Sequence, residues 1–339
     1  MAQAQALVEP RLPAGYGPLS LAVRRSLTGP APHDQLTRIG APIGDSDPYG
    51  LDLQLALYMC YELHYRGFAG VDPNWEWNPG LLYLRAQLER AFLAEVRRDV
   101  GSIDTGRTAK AEMDDLSIES AGESGPSYWL RDNGTWQQMR EYFVHRSLYH
   151  LKEGDPHAFA IPRLSGQAKA SFVAIEFDEY GAGHGAKVHA QLFADLLTAA
   201  ELDATYLAYL ENVPAEALAA VNLMSLFGLH RQLRGAAVGH FASTEITSSP
   251  GSHRLVEALR RLAAPPECVA FYSEHVEADA VHEQVVRRDV VGALVAREPQ
   301  LDRDVVFGIR AHAAVEDRLA DVIMAAWKAE ETSLRRPLG

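Results

Sequence analysis

The chain of 339 residues holds only two cysteines, Cys60 and Cys268. Two thiols so far apart form neither a disulfide framework nor a zinc knuckle, and they fit a reducing compartment. No apolar run approaches the roughly 18 residues that a membrane-spanning helix needs. The opening stretch, MAQAQALVEPRLPAGYG, lacks the basic-then-apolar order of a secretory signal, so the expected location is the cytoplasm. Basic residues are also short, with 32 Lys and Arg against 45 Asp and Glu, a net charge of −13. That balance disfavours nucleic acid and anionic membrane as partners. β-Branched alternation, the mark of strands, is scarce. No Glu-x-x-His occurs, which argues against ferritin-like diiron proteins. There is no His-Glu-x-x-His of a zincin, and no Gly-rich nucleotide loop after a strand.

What is present is helical patterning. Residues 1–48, rich in Pro and Gly, read as an irregular arm with one short helix near Pro18–Leu27. Asp47 before Pro48 can cap a helix reaching about Phe68, with Leu51, Leu55, Tyr58, Met59 and Leu63 at helical spacing. Another helix follows Pro79-Gly80, to about Val96. Residues 101–129 are polar and Gly/Ser-rich, a linker candidate. Further helices are expected near 134–152, 166–180, 186–199, 202–211, 214–247 (bending near Gly228 or Gly235), 251–264, 267–290 and 302–329. The fold class is therefore all-α, and a bundle is the natural way to bury so many apolar stripes. Residues 1–130 read as an N-terminal extension packed on a bundle of residues 131–330, with a tail at 331–339.

The sharpest chemical signal is His275-x3-Asp279-x2-His282. At about 100° per residue, these three side chains fall within about 60° of arc on one helix. Phe271 and Val286 continue the stripe, which therefore faces inward. A buried carboxylate between two imidazoles is costly unless compensated, and a metal cation compensates it directly. Such donors suit iron, manganese or zinc. The bland alternative is a solvated face with two incidental histidines. A second segment holds Glu176 and Glu179 one turn apart, followed by His189 on an inward stripe with Leu192, Phe193 and Leu196. Alone, such an acidic pair is a solvated helix end more often than a ligand pair. Glu245 continues the stripe Ala237, Val238, Phe241, either as a ligand or as an acid turned to solvent.

Together, Glu179, His189, Glu245, His275, Asp279 and His282 resemble the ligand set of the heme-oxygenase-like diiron oxidases, a family of iron-containing redox enzymes. The intervals of 56 residues from His189 to Glu245 and 30 from Glu245 to His275 are similar to those of its N-oxygenase members. The segments Asp178-Glu179-Tyr180-Gly181, Gly228-Leu229-His230-Arg231 and Gly239-His240 add to the likeness, which covers roughly residues 140–330. The resemblance implies a heme-oxygenase-like bundle and those six residues as metal ligands. It adds Glu153, 26 residues before Glu179, at the place of one further glutamate in some N-oxygenase members. Glu176 is the fallback should Glu179 point away.

The cofactors so implied are two Fe(II) ions, with O2 as co-substrate and an external electron donor. The expected activity is N-oxygenation of a small amine or amino acid. The alternatives are oxidative C–C cleavage or decarboxylation of an amino or fatty acid, and a non-catalytic metal-binding protein. A homodimer and a partner reductase are further expectations from the resemblance. Heme binding fits poorly, since Asp279 beside two histidines does not make an apolar axial site. Arg163, Arg231 and Arg234 are candidates for holding a substrate carboxylate, and Tyr142, Tyr149 and Phe177 for lining the pocket. His33, His64, His145, His150, His253 and His312 read as surface or hydrogen-bonded residues.

Overall fold

The structure is a computed structural model that describes residues 9–32, 43–44, 46–118 and 124–338, with the side chains of 277–280 outside that description. Among the described residues every regular element is a helix. α1 (Pro18–Leu27) opens on a proline, and the carboxylate of Asp52 on α2 (Leu51–Glu62) accepts from the Leu19 and Ser20 amides at 2.9 and 2.7 Å. The first-turn amides of one helix are thus satisfied by the next. α3 (Pro79–Val100) starts at Asn78, whose side chain accepts from the Gly80 and Leu81 amides.

The expected linker at 101–129 contains two short helices, α4 (Ala109–Leu116) and α5 (Pro126–Asp132). α4 buries little more than Ala109 and Met113, too few apolar positions to show a period. It is held by packing on later helices, and the Asp302 carboxylate accepts from the Ala109 amide at 3.0 Å. α6 (Trp136–His150) begins with a Thr135/Gln138 capping box. α7 (Asp155–Ala158), α8 (Gly166–Glu179) and α9 (His189–Ala199) follow. Residues 202–211, expected as a helix, form turns instead, with Leu207 at φ +62°; a left-handed residue cannot continue a right-handed helix.

The expected 214–247 helix is two: α10 (Ala215–Leu229) and α11 (Arg234–Arg261), separated between the two glycines named above. α11 continues through Pro250, where the sequence pattern suggested an end. A proline inside a helix costs about 3 kcal/mol, and here extensive packing of α11 on α12 (Pro266–Val285) and α14 (Asp302–Lys328) offsets it. α12 passes into a π-helical segment, Val286–Gly292, before α13 (Ala293–Arg297). The α11–α14 crossing is set by glycines: a Cβ on Gly239 would lie 2.0 Å from the Val305 carbonyl oxygen, and one on Gly308 2.1 Å from that of Ala236. This fixes α11, and with it Glu245, to the bundle axis.

One hydrophobic core runs from Leu19, Leu57 and Phe92 of the first helices to Phe241, Val305 and Trp327 of the last. α2 packs on α10 and α3 on α14, so the N-terminal helices brace the outer side of the bundle. Among the described residues no helix is long and apolar enough to cross a membrane.

Candidate metal centre

Helix ends and helix middles converge on one interior place. Glu153 sits in the turn after α6, Glu179 is the last residue of α8 and His189 the first of α9. Glu245 comes from the middle of α11, and His275 and His282 from α12. All six are buried, at 2–6 % exposure. The turn that carries Glu153 depends on Gly154 (φ +84°), where a Cβ would also stand 3.1 Å from Glu176 Oε2. Gly181 (φ +69°) lets the chain reverse between Glu179 and His189; a Cβ there would meet the Lys187 backbone at 2.6 Å.

The donor atoms fall into two groupings, Glu153, Glu179, His189 and His275, and Glu179, Glu245 and His282, each with its atoms within 4.8 Å of one another. Glu179 belongs to both. Its Oε2 is 2.7 Å from His189 Nδ1 and its Oε1 3.8 Å from His282 Nδ1. Glu153 Oε1 is 3.5 Å from His275 Nε2, and Glu245 Oε2 3.2 Å from His282 Nδ1. Ligand atoms that share one ion at about 2.1 Å stand roughly 3 Å apart, so atoms at these spacings, which here are His–carboxylate pairs, could also hold an ion. Asp279 lies on the same helix between the two histidines, and its side chain is outside the described residues.

The rings are oriented from behind. The His275 Nδ1–H donates to the Phe271 carbonyl at 2.8 Å, which turns Nε2 toward Glu153. His282 Nε2 stands 3.1 Å from Asp178 Oδ2, leaving Nδ1 toward the acids. An outer partner of this kind fixes the tautomer and raises ligand basicity. His150 does the same service for Glu153, at 2.9 Å from its Oε1.

Electrostatics point the same way. Burial pushes Glu176 well above the ordinary carboxylate range, and the nearby Glu179, Glu245, Asp155 and Glu153 push it further. Neither of its oxygens has a hydrogen-bond partner among the described residues. Burial also opposes the charged form of Glu153, but His150 and His275 outweigh it and hold Glu153 well below its usual value. Burial lowers His189, and the Glu179 carboxylate more than restores it, leaving the ring above its ordinary value. So many buried acids, with a Glu153 oxygen and both Glu176 oxygens unpartnered among the described residues, form a pocket whose positive charge comes from histidines alone in the ion pairs described for Glu153 and Glu179. The nitrogen and oxygen donors fit iron.

Over residues 140–317, just over half of its length, the sequence matches the family described as iron-containing redox enzyme. The chain belongs to this family. No curated protein matches it. The family match spans the turn and four helices that supply the cluster, and the all-helical bundle agrees with it.

A cavity of about 350 Å³ opens beside the cluster, with Glu153 and His275 in its wall together with Tyr142, Tyr149, Arg146 and Tyr272. Of the aromatics expected to line a pocket, Tyr142 and Tyr149 do so, whereas Phe177 is 54 % exposed. A larger cavity, about 750 Å³, lies between α4 and the π-helical segment and touches none of the cluster residues. The three arginines stand elsewhere. Arg163 donates to the Leu229 carbonyl at 2.8 Å, Arg234 pairs with Glu298, and Arg231 is exposed. Each serves a helix end or the surface. Glu176 faces the acids but belongs to neither donor grouping.

Sequence reasoning gave Arg146, Asp178 and Tyr272 no role of their own, and read His150 as a surface or hydrogen-bonded residue, which its contact with Glu153 bears out. One signal was available for two of them. Arg146, His150 and Glu153 recur at offsets of four and three, so a helical face of α6 prolonged to Glu153 in the following turn includes Arg146 and His150.

Proposed function

We propose that this iron-containing redox enzyme is an O2-dependent non-heme diiron oxygenase that N-oxygenates a small amine. The observation that carries the reading is Glu179: one buried carboxylate shared by two donor groupings, each with its own imidazole and acid. Three or more anionic carboxylates offset most of the charge of two divalent ions, and neutral imidazoles complete the sets. When bound, two ferrous ions would supply redox equivalents for O2 reduction and Lewis acidity at the substrate.

The chain's own contribution is positional. Phe271 and Asp178 fix the His275 and His282 rings, and His150 holds Glu153. Burial of the six described donors limits their contact with bulk water to the cavity beside Glu153 and His275. Overall, the amine nitrogen gains one oxygen atom of O2 to become a hydroxylamine. The other oxygen leaves as water, with two electrons and two protons from an external donor such as a reductase. In this reading residues 1–130 brace the bundle and do not enter the chemistry.

The test has two arms. Anaerobic Fe(II) loading should give two irons per chain in the wild type and one in His282→Ala, with the helical circular dichroism of the variant intact. Iron-loaded protein given amines under ¹⁸O2 should yield products heavier by a labelled oxygen atom. Release of CO2 or formaldehyde without such a gain would replace N-oxygenation with oxidative cleavage. A single iron in the wild type would end the diiron reading.

A further inference from the structure

The cavity beside the cluster has an unusual wall. Tyr272 is 3 % exposed, yet its hydroxyl has no hydrogen-bond partner among the described residues. Arg146 gives Nη1 and Nη2 to Glu316 at 3.0 and 2.7 Å and Tyr142 acts on the same guanidinium, while its buried Nε has no hydrogen-bond acceptor among the described residues. The two residues lie close enough for the guanidinium to act on the Tyr272 hydroxyl electrostatically, and both line the same cavity as Glu153 and His275. A buried donor left without an acceptor is costly. Two such donors in one wall call for an acceptor that none of the described residues supplies.

We propose that Arg146 Nε and the Tyr272 hydroxyl form a carboxylate subsite, and that the substrate is a small amino acid whose nitrogen lies toward Glu153 and His275. The subsite rests on the observed donors; the orientation of the nitrogen rests on the N-oxygenation reading above. Arg146 is four residues before His150 on α6, and Tyr272 three before His275 on α12, so each donor is borne about one helical turn from an imidazole of the cluster. Glu316 already neutralises Arg146, so an anion without its own positive charge would enter a cavity bordered by Glu153, Glu316 and Asp317. A zwitterion brings no net charge.

Binding tests this without turnover. The twenty common amino acids, their α-amides and the corresponding decarboxylated amines are titrated calorimetrically into Fe(II)-supplied protein under anaerobic conditions. At least one amino acid should bind, and its amide and amine at least tenfold more weakly. Tyr272→Phe should weaken the amino acid severalfold and Arg146→Lys at least tenfold, both with iron content unchanged. Equal affinity for amine and amino acid, no binding by any amino acid, or wild-type affinity in Tyr272→Phe would overturn the subsite. If Arg146→Lys folds poorly, the Tyr272→Phe result and the amide comparison still decide. Failure of oxygen transfer with selective amino-acid binding would sink the N-oxygenation reading and leave the carboxylate subsite standing.

Discussion

Lys152 and Glu153 are neighbours in the chain and both are buried, at 1 % and 5 % exposure, yet they enter opposite environments. Lys152 Nζ donates to Glu62 Oε2 at 3.1 Å, and Tyr206 donates to both Glu62 oxygens at 2.8 and 2.9 Å. The Tyr65 ring lies 4.1 Å from the ammonium. Burial lowers the Lys152 pKa, and Glu62 works against that shift. Here the fold has paired a buried charge with its own cation and filled the remaining acceptor sites. Around Glu153 it has gathered Glu176, Glu179 and Glu245, and the ion pairs of Glu153 and Glu179 among the described residues are all with histidines. The difference separates a structural polar network from a functional one. The first is complete by itself; the second keeps carboxylate oxygens without partners among the described residues, and a cation is what would complete it.

The largest expected effect comes from breaking the complete network. Lys152→Met leaves Glu62 buried without its cation and should cost about 3–5 kcal/mol, read from the denaturant midpoint of the metal-free protein. In the incomplete network the corresponding change moves metal affinity instead of stability. Glu179→Gln removes the carboxylate common to both groupings and should weaken Fe(II) binding at both positions by at least about 100-fold, near 2.7 kcal/mol, with the unfolding midpoint of the metal-free protein almost unchanged. Competition with a chelator measures it, and loss of one iron with the other retained would show that Glu179 is not shared.

The smallest effect sharpens the contrast through pH. Glu176 keeps its proton to higher pH in the folded protein than in the unfolded chain, because burial and its acidic neighbours raise it. Its contribution is therefore unfavourable above the unfolded value of about 4.3 and grows as pH rises toward the folded value. Glu176→Gln should match the wild type in acid and exceed it at pH 7 by about 1 kcal/mol when no metal is present, as seen in urea midpoints against pH. An unchanged difference across that range would mean that Glu176 is not held protonated by the cluster.

Much of this was legible in the sequence. The His275 and His282 positions share a helical face by arithmetic alone, whereas the cap expected at Asp47 is not one: α2 begins at Leu51 after Gly50 and ends at Glu62, short of Phe68. The break between α10 and α11 fell where two glycines weakened the pattern. Less was legible where packing overrides local preference. α11 runs through Pro250, α4 forms inside a polar stretch, and residues 202–211 turn because Leu207 takes a left-handed conformation.

The sequence by itself determined the helical class and which donors lie on which helix, because periodicity is local and a single rod carries its side chains at fixed angles. Only the tertiary structure decided that Glu179 serves both groupings, that Glu176 stands aside, and that Arg146 rather than Arg163, Arg231 or Arg234 lines the cavity. Those facts depend on how helices cross, and the crossings are set by close approaches such as Gly239 on Val305, between residues far apart in the chain.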